Sequence, residues 1–373
     1  MKLSPQEFAA QDGIKDRLQK HRDEAIRREQ VAELKRLTSA ENHRQDALKV
    51  IRDMVSLIEP PKYQKTHTPK KAPRHVWANV VSDWQLGQKD TLAGTGHVFE
   101  QSSEITKGQV REMWTRIAAL HDIERHAKHV DEFVFFSLGD LLENDQMRPS
   151  QAAGVDALVT RQTVDVFDLE AWLLNQALSR FPKVRMLHVG GNHERTSPKA
   201  GNAGLGELGF TDTYSWLIGE MLRRMFERAI DSGRLEIVNH ESFFGTAMVA
   251  GLRCVYEHGA SFRSSTGSYG GVSFYSIANA AAGYQKMLDG ADLVLMGHHH
   301  VPMCLPMGGW GWQIMNGALT PSSGYAQSNF KGYRRPSQTL LDLHPERGVV
   351  GWHPVYLETP NMVKPGQFWK GAK

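Results

Sequence analysis

The chain is 373 residues long, 40% hydrophobic and 23% charged, with a net charge of +3. That length suits one large core with an appendage, or two modest domains. No apolar run approaches the roughly 20 residues of a membrane helix, and the cysteines, Cys254 and Cys304, can form neither a disulfide framework nor a thiolate metal site.

The start, MKLSPQEFAAQDGIKDRL, lacks the apolar centre of a secretory signal, so a cytoplasmic location with reduced thiols and no membrane partner is expected. Charge is unevenly spread. Residues 1–75 hold 17 Lys and Arg against 11 Asp and Glu, a net of +6, while the rest, 27 against 30, carries −3. Residues 14–58 read as helix, with Leu18, Ala25, Val31, Leu34, Leu37, Leu48, Ile51, Val55 and Leu57 set among charges. No heptad persists, which favours a short helical hairpin over a coiled coil; such helices also offer a surface for a homo-oligomer. Pro60 and Pro61 break the pattern. PKYQKTHTPKKAPRH, residues 61–75, carries five positive charges among prolines and reads as a solvated linker, able also to lie along a polyanion. The expected organisation is a helical extension over 1–60, a basic linker over 61–75 and a compact domain over 76–373.

From Val76 on, short apolar strands end in polar clusters and alternate with helical stretches. HVWANVVSDWQ is a strand and loop, EITKGQVREMWTRIAALHDIERHAKHV helical, DEFVFFSLGDLLEN strand and loop. DALVTRQTVDVFDLEAWLLNQALSRF is helical and KVRMLHVGGNHE returns to strand and loop. EIVNHESFFGTAMVAGLRCVYEHG reads as consecutive strands, GVSFYSIANAAAGYQKMLDG as helix, ADLVLMGHHH as strand and loop. WGWQIMNGALTP and QTLLDLHPERGVVGWHPVYLE add further strands. The alternation implies a layered α/β sandwich, in which ligands bind at the carboxyl ends of strands.

Those ends carry Asp83 and Gln85, Asp140, Asn192 and His193, His258, and His298 and His300. Two divalent ions about 3.5–4 Å apart need one bridging carboxylate and some three further ligands each, which this inventory supplies. Nitrogen and oxygen donors without thiolate favour Mn²⁺, Mg²⁺, Fe or Zn²⁺ in hydrolytic use. Asp83 and Gln85 stand two apart, as do His298 and His300, so in an extended segment each pair projects to one side, leaving His299 as a bystander. Singly, every one of these residues has a plain reading: Asp83 or Asp140 as a helix cap, Asn192 as a turn residue, His258 as a satisfied core histidine. His188 and His240 compete with His258; the first sits mid-strand and the second precedes a charge, so His258 is preferred. Trp310, Trp312, Tyr325 and Tyr333 read as packing residues rather than base-stacking ones.

In order, SDWQ, GDLLEN, GNHE, HG and GHHH resemble the motifs of the calcineurin-like metallophosphoesterases, nearest to the SbcD-type nucleases and phosphodiesterases. The resemblance covers roughly 76–300 and leaves residues 1–75 aside. It implies an α/β/β/α metallophosphoesterase sandwich and two divalent metals, Mn²⁺ first. Asp140 would bridge them; Asp83, Gln85 and His300 would complete one ion, and Asn192, His258 and His298 the other. Activated water would then attack phosphorus in line, with His193 as general acid or transition-state stabiliser and Glu194 orienting its imidazole. Arg195 would grip a phosphate oxygen or form a surface ion pair. Arg263, in GASFRSSTGSYGG (259–271), would reach phosphate from a loop over the site or lie in a solvated connection. Gln85 departs from the usual His; an amide oxygen is a harder, weaker donor and favours Mn²⁺ or Mg²⁺. The role of Glu143 stays open.

The expected activity is that of a hydrolase acting on phosphodiester bonds, first a DNA nuclease. The basic leader and Lys331, Arg334 and Arg335 favour DNA, while the mild overall charge speaks against it. The alternative is a small-molecule nucleotide pyrophosphatase or cyclic-nucleotide phosphodiesterase, in keeping with Gln85. A protein phosphatase ranks lower, since GDLLEN lacks the Asp-Arg-Gly that would follow, and a non-catalytic scaffold conflicts with the nearly complete ligand set.

Overall fold

The structure, a computed structural model, describes residues 58–64, 68, 70–147, 151–196, 210–261, 274–309, 311–322 and 334–362, with Glu24, Arg27, Arg28 and Val31 in the leader. The chain divides into two compact units, 1–56 and 57–373. The four described leader positions are helical and exposed; of the rest of the expected 14–58 helix, Ile58 is described and is not helical, and the other residues lie outside the described ones.

In the larger unit, β1 (Arg74–Val81) is buried at every position but the first, as a strand covered on both faces requires. It pairs in parallel with β2 (His129–Ser137), which pairs with β3 (Lys183–His188) and that with β4 (Leu235–Asn239), all parallel. On the other side β10 (Ser337–His344) pairs antiparallel with β1, and β11 (Gly348–Tyr356) with β10. The second sheet has the order β5 (Phe244–Val249), β6 (Leu252–Glu257), β7 (Leu293–Met296), β9 (Trp312–Met315), β8 (Met303–Pro306). Its three inner strands run parallel, and the β5–β6 hairpin turns at Ala250 and Gly251, both at positive φ.

Alternation along the strands sorts the layers. Val76, Ala78, Val80, Val134 and Phe136 of the first sheet pack against Cys254, Tyr256, Leu293, Leu295 and Ile314 of the second. The opposite phase faces the helices: Trp77 meets His121, and Phe133 and Phe135 meet Trp114, both partners on α1 (Ser103–Glu124). Helix α1 buries Val110, Met113, Trp114, Ile117, Ala118 and His121, a single stripe of helical period. Helix α2 (Val159–Arg180) packs beside it. Beyond the second sheet, Ile277, Ala281 and Tyr284 of α5 (Phe274–Met287) cover Val255, Val294, Met296 and Met315. The expected four-layer α/β/β/α sandwich is therefore the observed one.

Two elements in 210–233 have no counterpart in the sequence reading: α3 (Tyr214–Met225), capped by the Thr213 hydroxyl, and the short α4 (Glu227–Asp231). Residues 58–64, in the stretch read as extension and linker, bond to these outer layers. Ile58 N–H donates to Met225 O, Gln64 N–H to Ser179 O, and Arg234 to Pro61 O. Among the described residues no helix is long and apolar enough to cross a membrane.

Candidate metal centre

The loops that follow β1, β2, β3, β6 and β7 meet at one end of the sandwich. Asp140 is held by the N–H of His193, which donates to Oδ1 (2.8 Å). Gly139 and Gly191 pack so closely that a Cβ on Gly139 would lie 2.1 Å from Gly191 N and one on Gly191 2.2 Å from Asp140 Oδ1; only glycine permits that approach. The buried Glu194 carboxylate ties the same two loops, accepting from Leu141 N–H (2.9 Å) and Gly191 N–H (2.7 Å).

His258 donates from Nδ1 to Leu138 O (2.8 Å), which fixes its tautomer and turns Nε2 toward the centre. There Nε2 lies 3.0 Å from Asp140 Oδ2, 3.2 Å from Asn192 Oδ1 and 3.2 Å from His298 Nδ1. Asp140, His258 and His298 each offer a ligand atom within 4.8 Å of the others. Converging lone pairs of this kind need a proton or a cation among them. Burial pushes the Asp140 carboxyl up, but His258 and His193 outweigh it and hold it well below the carboxylate range. Burial lowers His258, and Asp140 overrides it, raising the imidazole to about 9. Burial and the neighbouring His258 depress His298 to about 3. The donor set therefore fits a divalent ion, which would displace the proton on His258.

Asp83 forms the other half. Its two oxygens accept from His298 N–H, both at 3.0 Å, and Oδ1 stands 3.3 Å from His300 Nε2. Burial raises the Asp83 carboxyl, but His300 and His258 together keep it below its ordinary value. Gln85 is buried next to it, its N–H donating to Asp140 O (3.1 Å). The two-apart pairs do not arise from extended backbone, as the sequence suggested. Asp83, Gln85, His298 and His300 have φ of 54°, 48°, 67° and 56°, all left-handed.

His193 stands beside this group, Nε2 4.0 Å from Asp140 Oδ2. Glu194 does not orient it, since both its oxygens are taken by backbone. Glu143 does: His193 Nδ1 donates to Glu143 O (2.8 Å) and lies 3.4 Å from Glu143 Oε2. Burial lowers His193, but Asp140 and Glu143 overcome it and raise the imidazole to about 10. Asn144 closes the loop by donating to His193 O (2.7 Å) and Arg195 O (2.9 Å). Arg195 leaves its Nε buried without a hydrogen-bond partner among the described residues. The rival histidines are engaged elsewhere: His188 lies 3.7 Å from buried Glu170, and His240 bonds Tyr256 Oη. His299 stacks edge-on against His298. Trp312 packs against the inter-sheet core. Arg263, Trp310, Tyr325, Lys331 and Tyr333 lie outside the described residues.

No family model and no curated protein matches the chain. Among solved structures it is similar to an archaeal phosphodiesterase at 10% identity and a TM-score of 0.35, over 76% of this chain and 100% of that one. It is similar to Vps29 of Entamoeba histolytica complexed with zinc at 11% identity and TM-score 0.31, over 75% and 99% of the two chains. A predicted phosphoesterase of Streptococcus pneumoniae is 11% identical at TM-score 0.28, over 76% and 98%.

Proposed function

We propose that the protein is a phosphodiesterase dependent on two divalent metal ions, Mn²⁺ first, with DNA as its substrate. The observation that carries this reading is the convergence of Asp140, His258 and His298, from three separate strand ends, to within 4.8 Å. Asp140, Asn192, His258 and His298 would hold one ion, and Asp83, Gln85, His300 and the shared Asp140 the other. Bound there, such ions polarise a phosphoryl oxygen and lower the pKa of water toward neutrality. The chain's own residues supply the rest. His193, protonated and oriented by Glu143, delivers a proton to the leaving oxygen. Arg195, whose Nε has no partner among the described residues, meets a phosphate oxygen.

Support for DNA is the net +6 of residues 1–75. Gln85 supports a second reading, a small-molecule nucleotide pyrophosphatase or cyclic-nucleotide phosphodiesterase. Hydrolysis of bis-p-nitrophenyl phosphate with Mn²⁺, falling to background in Asp140→Ala, tests the phosphodiesterase. An inactive wild type, or an active variant, overturns it. Side-by-side turnover of labelled single- and double-stranded DNA, ADP-ribose and cyclic nucleotides then decides the substrate class.

A further inference from the structure

Behind Asp83 runs a set of buried polar side chains that the roles above leave unused. We infer that Gln338 and Asn316 are positioning residues which, through the Ser82 hydroxyl, hold Asp83 by Oδ2 and reserve Oδ1 for a divalent cation. The inference rests on the metal-centre reading just given.

Hydrogen-bond direction along this set is determined from its far end. Gln338, on β10 and fully buried, places Nε2 at 2.9–3.0 Å from three backbone carbonyls, those of Ser82, Gly317 and Ser337. Carbonyls only accept, so this atom is the amide nitrogen and Oε1 points the other way. There Oε1 accepts from Ser82 N–H (3.0 Å) and stands 3.2 Å from Asn316 Nδ2. Asn316, buried just past β9, must therefore present its NH₂ and not its oxygen. The same Nδ2 donates to Ser82 Oγ (3.0 Å). A hydroxyl that accepts from Asn316 turns its own proton outward, and its partner is Asp83 Oδ2. The opposite oxygen, Oδ1, shares the His298 N–H with Oδ2 and faces His300.

Packing around the pair is close. A Cβ at Gly297 would lie 2.6 Å from Asp83 Oδ2 and 2.7 Å from Ser82 Oγ, and Leu319 N–H donates to Asp83 O (3.1 Å). The set crosses from one sheet to the other: Ser82 follows β1, Gln338 lies on β10 of the same sheet, and Asn316 follows β9 of the second. Groups that orient ligands in this way commonly change metal affinity by about 10–100-fold when removed.

The test is calorimetric titration of Mn²⁺ into the full-length protein stripped with EDTA, in wild type, Ser82→Ala, Ser82→Thr and Asn316→Asp. Wild type should show two binding events. Ser82→Ala should weaken one of them about tenfold or more and leave the other intact, and Ser82→Thr, which keeps the hydroxyl, should restore it. Asn316→Asp reverses the donor and should weaken the same event. Melting of each EDTA-treated variant within a few degrees of wild type separates positioning from loss of fold. Two events unchanged by Ser82→Ala overturn the inference and leave the metal centre standing, as does equal weakening of both events. No Mn²⁺ binding by the wild type overturns the metal centre itself.

Discussion

His193 shares its imidazole between two acids, with Glu143 at Nδ1 and Asp140 near Nε2. The first contact aims the ring and both carboxylates favour its protonated form, the two properties a general acid needs. Such a group contributes about 10²–10⁴ in rate. His193→Asn should therefore lower kcat about 10²-fold or more while KM and Mn²⁺ affinity change little, and Glu143→Gln should have the same sign with a smaller size. Steady-state kinetics on bis-p-nitrophenyl phosphate checks both; a His193 variant with wild-type kcat removes the acid role. Residue types and their order were legible in the sequence, because donors for hard cations are few and here all follow apolar runs. Conformation was not. The convergence of Asp83 with Gln85 and of His298 with His300 comes from left-handed residues, each of which costs an L-amino acid about 1 kcal/mol or more. The loops bear that cost through bonds such as Asp83 N–H to Gly139 O, Gln85 N–H to Asp140 O and His298 N–H to the Asp83 carboxylate, which no local pattern announces. Glu143, not Glu194, aims His193 for the same reason: partner choice depends on how two loops dock.

At the scale of elements, burial alternation made most of the sandwich readable. Trp77, Phe133 and Phe135 against Val76, Val134 and Phe136 is a period of two, and the α1 stripe a period of 3.6. Helix α3 was missed because its start, Thr213, follows a glycine-rich stretch in which apolar spacing shows no period. His121 is the one imidazole in the α1 stripe, wedged between Trp77 and Phe181 with centroids at 5.7 and 4.7 Å. Burial lowers it to about 4, helped by Arg180. An unfolded chain binds this proton near pH 6.5, so the folded state is the poorer proton acceptor. The stability this gives is complete above pH 6.5 and is lost as pH falls toward 4, at up to about 1.4 kcal/mol per pH unit. Between pH 7.5 and 4.5, urea midpoints should therefore fall more steeply for wild type than for His121→Phe. Equal slopes in the two proteins would refute the assignment.

Across the whole molecule, the charge asymmetry is the feature that bears on a polyanionic substrate, and the structure refines where it lies. Residues 1–57 hold 12 basic against 10 acidic side chains, so most of the +6 comes from Lys62, Lys65, Lys70, Lys71 and Arg74. Part of that stretch is tied to the larger unit, since residues 58–64 bond to Ser179, Met225 and Arg234, and Arg74 opens β1. Deleting 1–75 would therefore cut into the sandwich itself and confound any result. Neutralisation serves instead: Lys62, Lys70 and Lys71 are exposed, and a change to Gln removes charge without removing chain. If these lysines neutralise phosphates, each lysine replaced should reduce the slope of log binding against log salt by about 0.9. Lys62→Gln, Lys70→Gln and Lys71→Gln combined should thus weaken DNA binding at low salt, flatten that slope by about 2–3, and leave turnover of bis-p-nitrophenyl phosphate unchanged. Removing residues 1–57 alone should alter the slope far less. A slope equal to wild type in the triple variant would detach the basic segment from substrate binding and favour a small nucleotide held wholly at the metal centre.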